Sequence, residues 1–423
     1  MVYVLNRNGQ PLMPTKDHRK VRLLLKESKA KVVRRTPFTI KLLHNTHNYK
    51  QRITLGVDAG SKVIGLSATT EKQELFAAEL KPRNDVVGLL SDRRAFRCAR
   101  RSRTTRYRPP RFNNRVRSKN KGWLAPSVNV KIHNHLQAIT LACRLLPVSK
   151  IIIEAGEFDL QRLKAMESGT PLPVGTDYQL GEMYDHYNVR QYVLHRDGYR
   201  CRKCKTDRAK FHVHHLETRR IGGNAPNNLI TICERCHDMV HSGLLSLDGI
   251  KRGKSYRDAS FMGIMRNALL KRVEKLFPNC EVAETKGFIT KYVREQAQLP
   301  KHHVNDALCI TGTPNVRRLD HKYNIKPVRC HNRQIHKATI NKGGTRKLNQ
   351  APKYVKGYQL FDKVRMPNKR EGFIFGRRAT GSFDIRTLTG EKLSAGITFK
   401  KLIPLEKRKT LLTERSAAVS SQG

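Results

Sequence analysis

CRKCKTDRAKFHVHHLETRRIGGNAPNNLITICERCHDMVH, residues 201–241, places two kinds of metal chemistry in one short stretch. Cys201 and Cys204 form one Cys-x-x-Cys pair, and Cys233 and Cys236 form a second. Four thiolates at such spacing close a tetrahedral structural zinc site that staples a small unit together. A zinc staple needs only the cysteines, so His214, His215, His237 and His241 are left over. In an extended chain the adjacent His214 and His215 point to opposite faces, and one can bind a cation while the other meets substrate. His237 and His241 lie four apart, on one face of a helix. His214, His237 and His241 are therefore candidate ligands of a catalytic metal. His215 is left as general base, suitably poised because free imidazole titrates near pH 6.5. A zinc ribbon that binds nucleic acid without cutting it is the plainer alternative.

The rest of the chain supplies a polyanion's partner. Its 423 residues carry 84 Lys and Arg against 34 Asp and Glu, a formal charge of +50. That excess repels itself in a compact fold unless nucleic acid neutralises it, with binding steeply dependent on salt. No apolar run approaches the roughly 20 residues that span a bilayer, which sets aside a membrane. The opening MVYVLNRNGQPLMP lacks a secretory layout, and the nine cysteines fit metal binding better than a disulfide framework. A cytoplasmic location is expected. Between Arg93 and Arg117 there are eleven arginines and no acidic residue. Arg93, Arg94, Arg97, Arg100, Arg101, Arg103, Arg106 and Arg108 read as a helix, basic all round, that lies between nucleic-acid backbones; Pro109-Pro110 ends it. A disordered basic arm is the other reading of this segment.

Three acidic positions form a second constellation. Asp58 follows the strand-like ITLGV, Glu154 ends KIII, and Asp306 shares a helix face with His303 in HHVNDA. Singly, each reads as a cap or a solvated strand end. Together, three carboxylates from separate segments are what a two-magnesium phosphodiesterase site needs. Around them, residues 51–80 read as three antiparallel strands opening an α/β domain, and Val128 begins a helix that precedes the strand Lys150–Glu154. Residues beyond about 315 alternate in short, glycine-punctuated runs that predict a small β-barrel.

These residues carry two local resemblances. The 201–241 segment resembles an HNH endonuclease of the zinc-stapled ββα-metal kind. That likeness implies His214 and His237 as ligands, His241 as a third ligand, His215 as base, and Asn228 (Asn227 in an alternative register) as the residue pinning the base's loop. Asp58, Glu154 and the His303/Asp306 pair resemble the three parts of a RuvC nuclease of the ribonuclease H-like fold, with the HNH unit inserted between parts two and three. The whole chain resembles the IscB family, transposon-associated RNA-guided DNA nucleases related to type II CRISPR effectors. The implied fold is α/β multidomain. It runs as a PLMP domain at 1–50, RuvC parts at 51–91, 119–160 and 258–315, an arginine-rich bridge helix at 92–118, and linkers at 161–188 and 246–257. The HNH domain occupies 189–245, a β-rich basic domain that reads target-adjacent DNA occupies 316–409, and 410–423 is a disordered tail. The resemblance further implies Mg2+ or Mn2+ at both nuclease sites beside structural Zn2+, a structured guide RNA, a double-stranded DNA target, and one protein chain per ribonucleoprotein in a prokaryotic cytosol or nucleoid. HNH would cut the guide-paired strand and RuvC the displaced strand. A protein-guided homing or restriction nuclease, and a catalytically idle RNA-binding accessory protein, are the competing functions.

Overall fold

The computed structural model describes residues 1–47, 49–101, 122–154, 165–166, 169, 171–172, 186, 188–218, 224–250, 257–329 and 352–418. They fall into two compact units, 1–157 with 265–423, and 158–264. The chain opens with β1 (Tyr3–Leu5), α1 (His18–Lys26), β2 (Ala30–Arg34) and β3 (Thr39–Leu42), a small sheet of order β1-β3-β2. Asp17 caps α1 by accepting the Lys20 N–H at 2.8 Å, and Val21 turns inward onto Ile40 and Leu42. The buried Tyr3 donates to the Leu75 carbonyl at 3.0 Å, which fastens this module to the central sheet.

β4 (Thr54–Ala59), β5 (Ile64–Thr69) and β6 (Glu74–Leu80) make an antiparallel meander. α2 (Val86–Arg101), α3 (Pro126–Leu145) and β7 (Lys150–Glu154) come next. The second unit holds α4 (Val189–Arg196), β8 (Phe211–His215), β9 (Leu229–Cys233) and α5 (Glu234–His241). The chain then returns to the first unit within α6 (Arg257–Leu276), at Met265, and continues with β10 (Glu281–Thr285), α7 (Gly287–Gln296), α8 (His303–Ile310) and β11 (His321–Pro327). β12 (Lys363–Arg365), β13 (Glu371–Arg377), β14 (Ser382–Arg386), β15 (Lys392–Thr398), β16 (Ile403–Glu406) and β17 (Leu411–Ala417) complete it. No helix among the described residues is long and apolar enough to cross a membrane.

The central sheet has the order β10-β7-β4-β5-β6-β11-β17. β7 adds parallel to β4 and β10 parallel to β7, so the two later strands extend the meander beyond its first strand. Leu55, Val57, Ile151 and Ile153 share one face and are fully buried, while α8 covers the other face at Gly56. α8 lies on β4 and β5 so closely that a Cβ on Gly56 would collide with the Ala307 carbonyl, and one on Gly65 with the His303 carbonyl. Only glycine permits that approach.

Two expectations for the C-terminal region are corrected. In place of a disordered tail over 410–423, residues 411–417 are β17, paired along its whole length with β11. The charged spelling LLTERSA hides a strand whose Leu412 and Thr413 are buried and whose Glu414 accepts the Leu388 N–H at 2.9 Å. The boundary at 316 therefore cuts β11 from the sheet to which it belongs. The expected barrel is a five-stranded sheet of order β15-β14-β13-β12-β16, and no pairing among the described residues joins its two edges. Register shifts in β14–β15 and β12–β16 bend it around Val364, Ile374, Phe383 and Ile385, so side-chain packing closes the core in place of strand pairing. The basic helix begins at Val86, before the expected Asp92, and is described to Arg101. Arg103, Arg106 and Arg108 lie outside the described residues.

Candidate metal and nuclease centres

In the second unit the β8–β9 hairpin and α5 form a ββα unit around the cysteines. Cys201 is fully buried, Cys233 caps α5 and Cys236 lies one turn inside it. The four sulfurs lie within 4.8 Å of one another, with Cys204 Sγ 3.6 Å from Cys233 Sγ. Such separations suit four sulfurs about 2.3 Å from one zinc ion. Burial opposes charge on the Cys201 thiol, but N–H groups of Cys204, Cys233 and Lys203 outweigh it and bring it down to about 6. The Cys236 thiol is pushed up, first by burial and then by the neighbouring sulfurs. Four sulfurs crowded in this way fit a shared cation.

His214 projects from β8 beside His237 and His241 of α5, and the ligand nitrogens of the three lie within 4.8 Å. His237 Nε2 and His241 Nε2 are 3.2 Å apart, a separation two ligands of one cation adopt. Burial lowers the pKa of both His214 and His237, and their imidazole neighbours lower it further, so both favour the neutral form a ligand requires. His215, next along β8, faces the opposite way, and its Nε2 lies 2.9 Å from Asn224 Oδ1. Donation from Nε2 to that oxygen leaves the lone pair on Nδ1. Asn228 is fully buried: its Oδ1 accepts the Glu217 N–H at 2.9 Å and its Nδ2 donates to the Glu217 carbonyl at 3.0 Å. The residue thus ties down the turn that follows His215.

Sequence reading passed over two members of this cluster. His212 shares the face of β8 that carries His214, and its ring stacks on His237 at 4.8 Å between centroids. The alternation His212-Val213-His214 held that signal. Asn224 is 9 residues from its partner across a turn, with no pattern to reveal it.

The second centre lies in the first unit. Asp58 on β4 and Glu154 on β7 are partners in register across a parallel pair, so both carboxylates leave the same face, the one α8 covers. His303 Nδ1 meets Asp58 Oδ2 at 2.6 Å, and Arg294 Nε of α7 lies 3.0 Å from Asp306 Oδ1. Burial raises the pKa of Glu154, and the charges of Asp58 and Asp306 raise it further. Asp306 is raised by burial and then by Asp58. The Asp58 hydrogen bond chiefly raises His303. Three carboxylates that repel one another so are a donor set for hard divalent cations. Asp58 is held by His303 and Asp306 by Arg294. On α2, Arg93, Arg94 and Arg97 are exposed, and Arg100 and Arg101 extend the helix.

Residues 200–243 match the HNH endonuclease family model. The chain carries an HNH endonuclease domain. Residues 2–180 match the model of the RRXRR protein family. Anaredoxin of Nostoc sp. (strain PCC 7120 / SAG 25.82 / UTEX 2576) is 33% identical over 66 residues, which are 15% of this chain and 87% of that protein. Over that stretch the two belong to one family. Among solved structures, Streptococcus thermophilus Cas9 in complex with the AGAA PAM overlaps at 12% identity and a TM-score of 0.28, covering 45% of this chain and 26% of that one. The type II-C Cas9 enzyme from Actinomyces naeslundii overlaps at 16% identity and a TM-score of 0.17, covering 46% and 29%. This chain spans little more than a quarter of those proteins, and scores this low carry no weight for fold or function. The HNH domain coincides with the cysteine and histidine groups, all of whose members fall inside residues 200–243.

Proposed function

We propose that the protein is an RNA-guided, metal-dependent DNA endonuclease of the IscB kind. The HNH domain cuts the guide-paired strand, and a RuvC-type centre on a ribonuclease H-like sheet cuts the displaced one. The observation that carries this reading is the pairing of Asp58 with Glu154 in register beneath His303 and Asp306, in a chain whose HNH domain has its own histidine cluster. Two centres of unlike donor chemistry suit two strands. The meander β4-β5-β6, extended on its β4 side by parallel β7 and β10, supports the ribonuclease H-like reading. The charge of +50 and the exposed arginines of α2 support a permanent RNA partner. The working unit we propose is one protein chain with its RNA in a prokaryotic cytosol.

Mg2+ or Mn2+ held by Asp58, Glu154 and Asp306, and by His214, His237 and His241, supplies the Lewis acidity that a scissile phosphate needs. The chain does the rest. His215 takes the proton of the attacking water on Nδ1, with Asn224 orienting the ring and Asn228 holding the turn behind it. At the other centre, His303 on Asp58 is placed to accept a proton as water attacks. Asp58→Ala should leave a nick, with only the guide-paired strand cut, and His215→Ala should leave the opposite nick. Strand-specific end-labelling separates the two, and loss of both cuts from either change would refute the two-centre reading. Discrete RNA should co-purify with the protein. Cutting of naked duplex by an RNA-free preparation would instead establish the protein-guided nuclease.

A further inference from the structure

α7 has two unlike faces. Thr290 is buried and Arg294, one turn on, reaches Asp306 from a side chain only 11% exposed. The opposite face presents Phe288 and Tyr292, each 64% exposed, with Ile289 at 43%. Phe288 follows Gly287, which borders the Glu154 carboxylate: a Cβ there would stand 3.0 Å from Glu154 Oε1. An aromatic pair one helical turn apart thus begins beside the carboxylate centre and faces outward. Exposed aromatic surface of this kind marks a binding face.

The flanking charge says what it binds. Lys286 Nζ lies 6.0 Å from the Phe288 ring centroid, and Lys291 stands between the two aromatics in sequence. The face has one carboxylate, Glu295, spanned by Lys291 at 3.8 Å. Aromatic rings interleaved with lysines fit bases that stack and phosphates that pair, the design of single-strand binding surfaces. An apolar protein partner would not need the lysines, and a duplex would hide its base faces.

We propose that Phe288 and Tyr292 form a stacking platform for the bases of single-stranded DNA, leading that strand into the Asp58–Glu154–Asp306 centre. This inference rests on the nuclease reading of that centre. Bases lose their stacking surface with the rings, so removing both should slow cutting of the displaced strand by about thirtyfold or more. The guide-paired strand should be cut at the unaltered rate. Tyr292→Phe, which keeps a ring, should restore most of the loss of Tyr292→Ala.

A readout that needs no cutting comes from Phe288→Trp in the full chain with its co-purified RNA. Trp123 is the only native tryptophan, so the parent protein provides the background. A short oligothymidylate should quench the added emission, and an abasic deoxyribose-phosphate strand of equal length should not. Equal quenching by the abasic strand, no quenching at all, or quenching by oligouridylate alone would overturn the platform. Asp58→Ala placed on Phe288→Trp distinguishes the two readings. If quenching survives but displaced-strand cutting also survives, the nuclease assignment fails and the platform stands. If cutting is lost with Asp58→Ala but quenching never occurs, the platform alone fails.

Discussion

Asn228 has no charge to offer a metal, yet it is wholly buried with both amide atoms bonded to Glu217. Asn228→Ala removes both of these hydrogen bonds, each worth about 0.5–1.5 kcal/mol. The expected result is a guide-paired-strand rate lowered by tenfold or more, with zinc content, measured by metal analysis, unchanged. The metal cluster itself leads to a second expectation. Magnesium prefers oxygen and near-octahedral geometry, whereas imidazole suits softer first-row ions. Cutting by the HNH domain should therefore rise several-fold when Mn2+ replaces Mg2+, while the carboxylate centre gains less; strand-resolved rates in the two metals check this. Residues at fixed short spacing, the cysteine pairs and His237/His241 above all, were legible from the sequence because helix and turn geometry convert spacing directly into proximity. Asn224 was not, and His212 showed only as a weak alternation with His214. One owes its place to strand alternation and a ring stack, the other to a turn, and neither spacing is distinctive.

Among the elements, α8 depends on two residues that contribute nothing but absence. Gly56 and Gly65 give β4 and β5 a floor on which the backbone of α8 rests, and that contact brings His303 to Asp58. Gly65→Ala puts a methyl group into the His303 carbonyl. Overpacking of this kind typically costs about 1–3 kcal/mol. The helix must rise at the end that carries the site, so the displaced-strand cut should fall far more than the melting temperature. An equal fall in guide-paired cutting would show instead that the whole fold had suffered. These glycines read in the sequence only as strand punctuation, since the carbonyls they accommodate lie some 240–250 residues away. The meander and its two parallel additions were easier: apolar runs such as LGV and KIII show themselves locally. β17 was missed for the reverse reason. Its polar face dominates the spelling, its ladder partner β11 lies roughly ninety residues earlier, and Leu412 is buried against Phe373 and Leu388.

For the whole molecule, the decisive arrangement is that one compact unit, residues 158–264, interrupts the chain of the other between β7 and the middle of α6. Its apolar core is small: Ile230 and Ile232 pack on Cys201, Cys233 and Cys236 themselves, with Tyr192, Val193 and Leu229 beside them. Structural zinc in small domains contributes roughly 10–16 kcal/mol of apparent folding free energy, about as much as or more than a domain's entire stability of 5–15 kcal/mol. A zinc ion in the four-cysteine site would therefore be decisive for this unit, and among the described residues of the other no such cysteine cluster occurs. Cys201→Ser, or a strong zinc chelator, should unfold the HNH domain and abolish guide-paired cutting. RNA binding should persist at near its original affinity, because the exposed arginines of α2 belong to the other unit. Calorimetry should show one transition lost or moved to low temperature and the second in place. Parallel loss of both transitions and of RNA binding would mean that the insert is a structural part of its host, and the separation of the two strand-cutting centres into independent units would have to be abandoned.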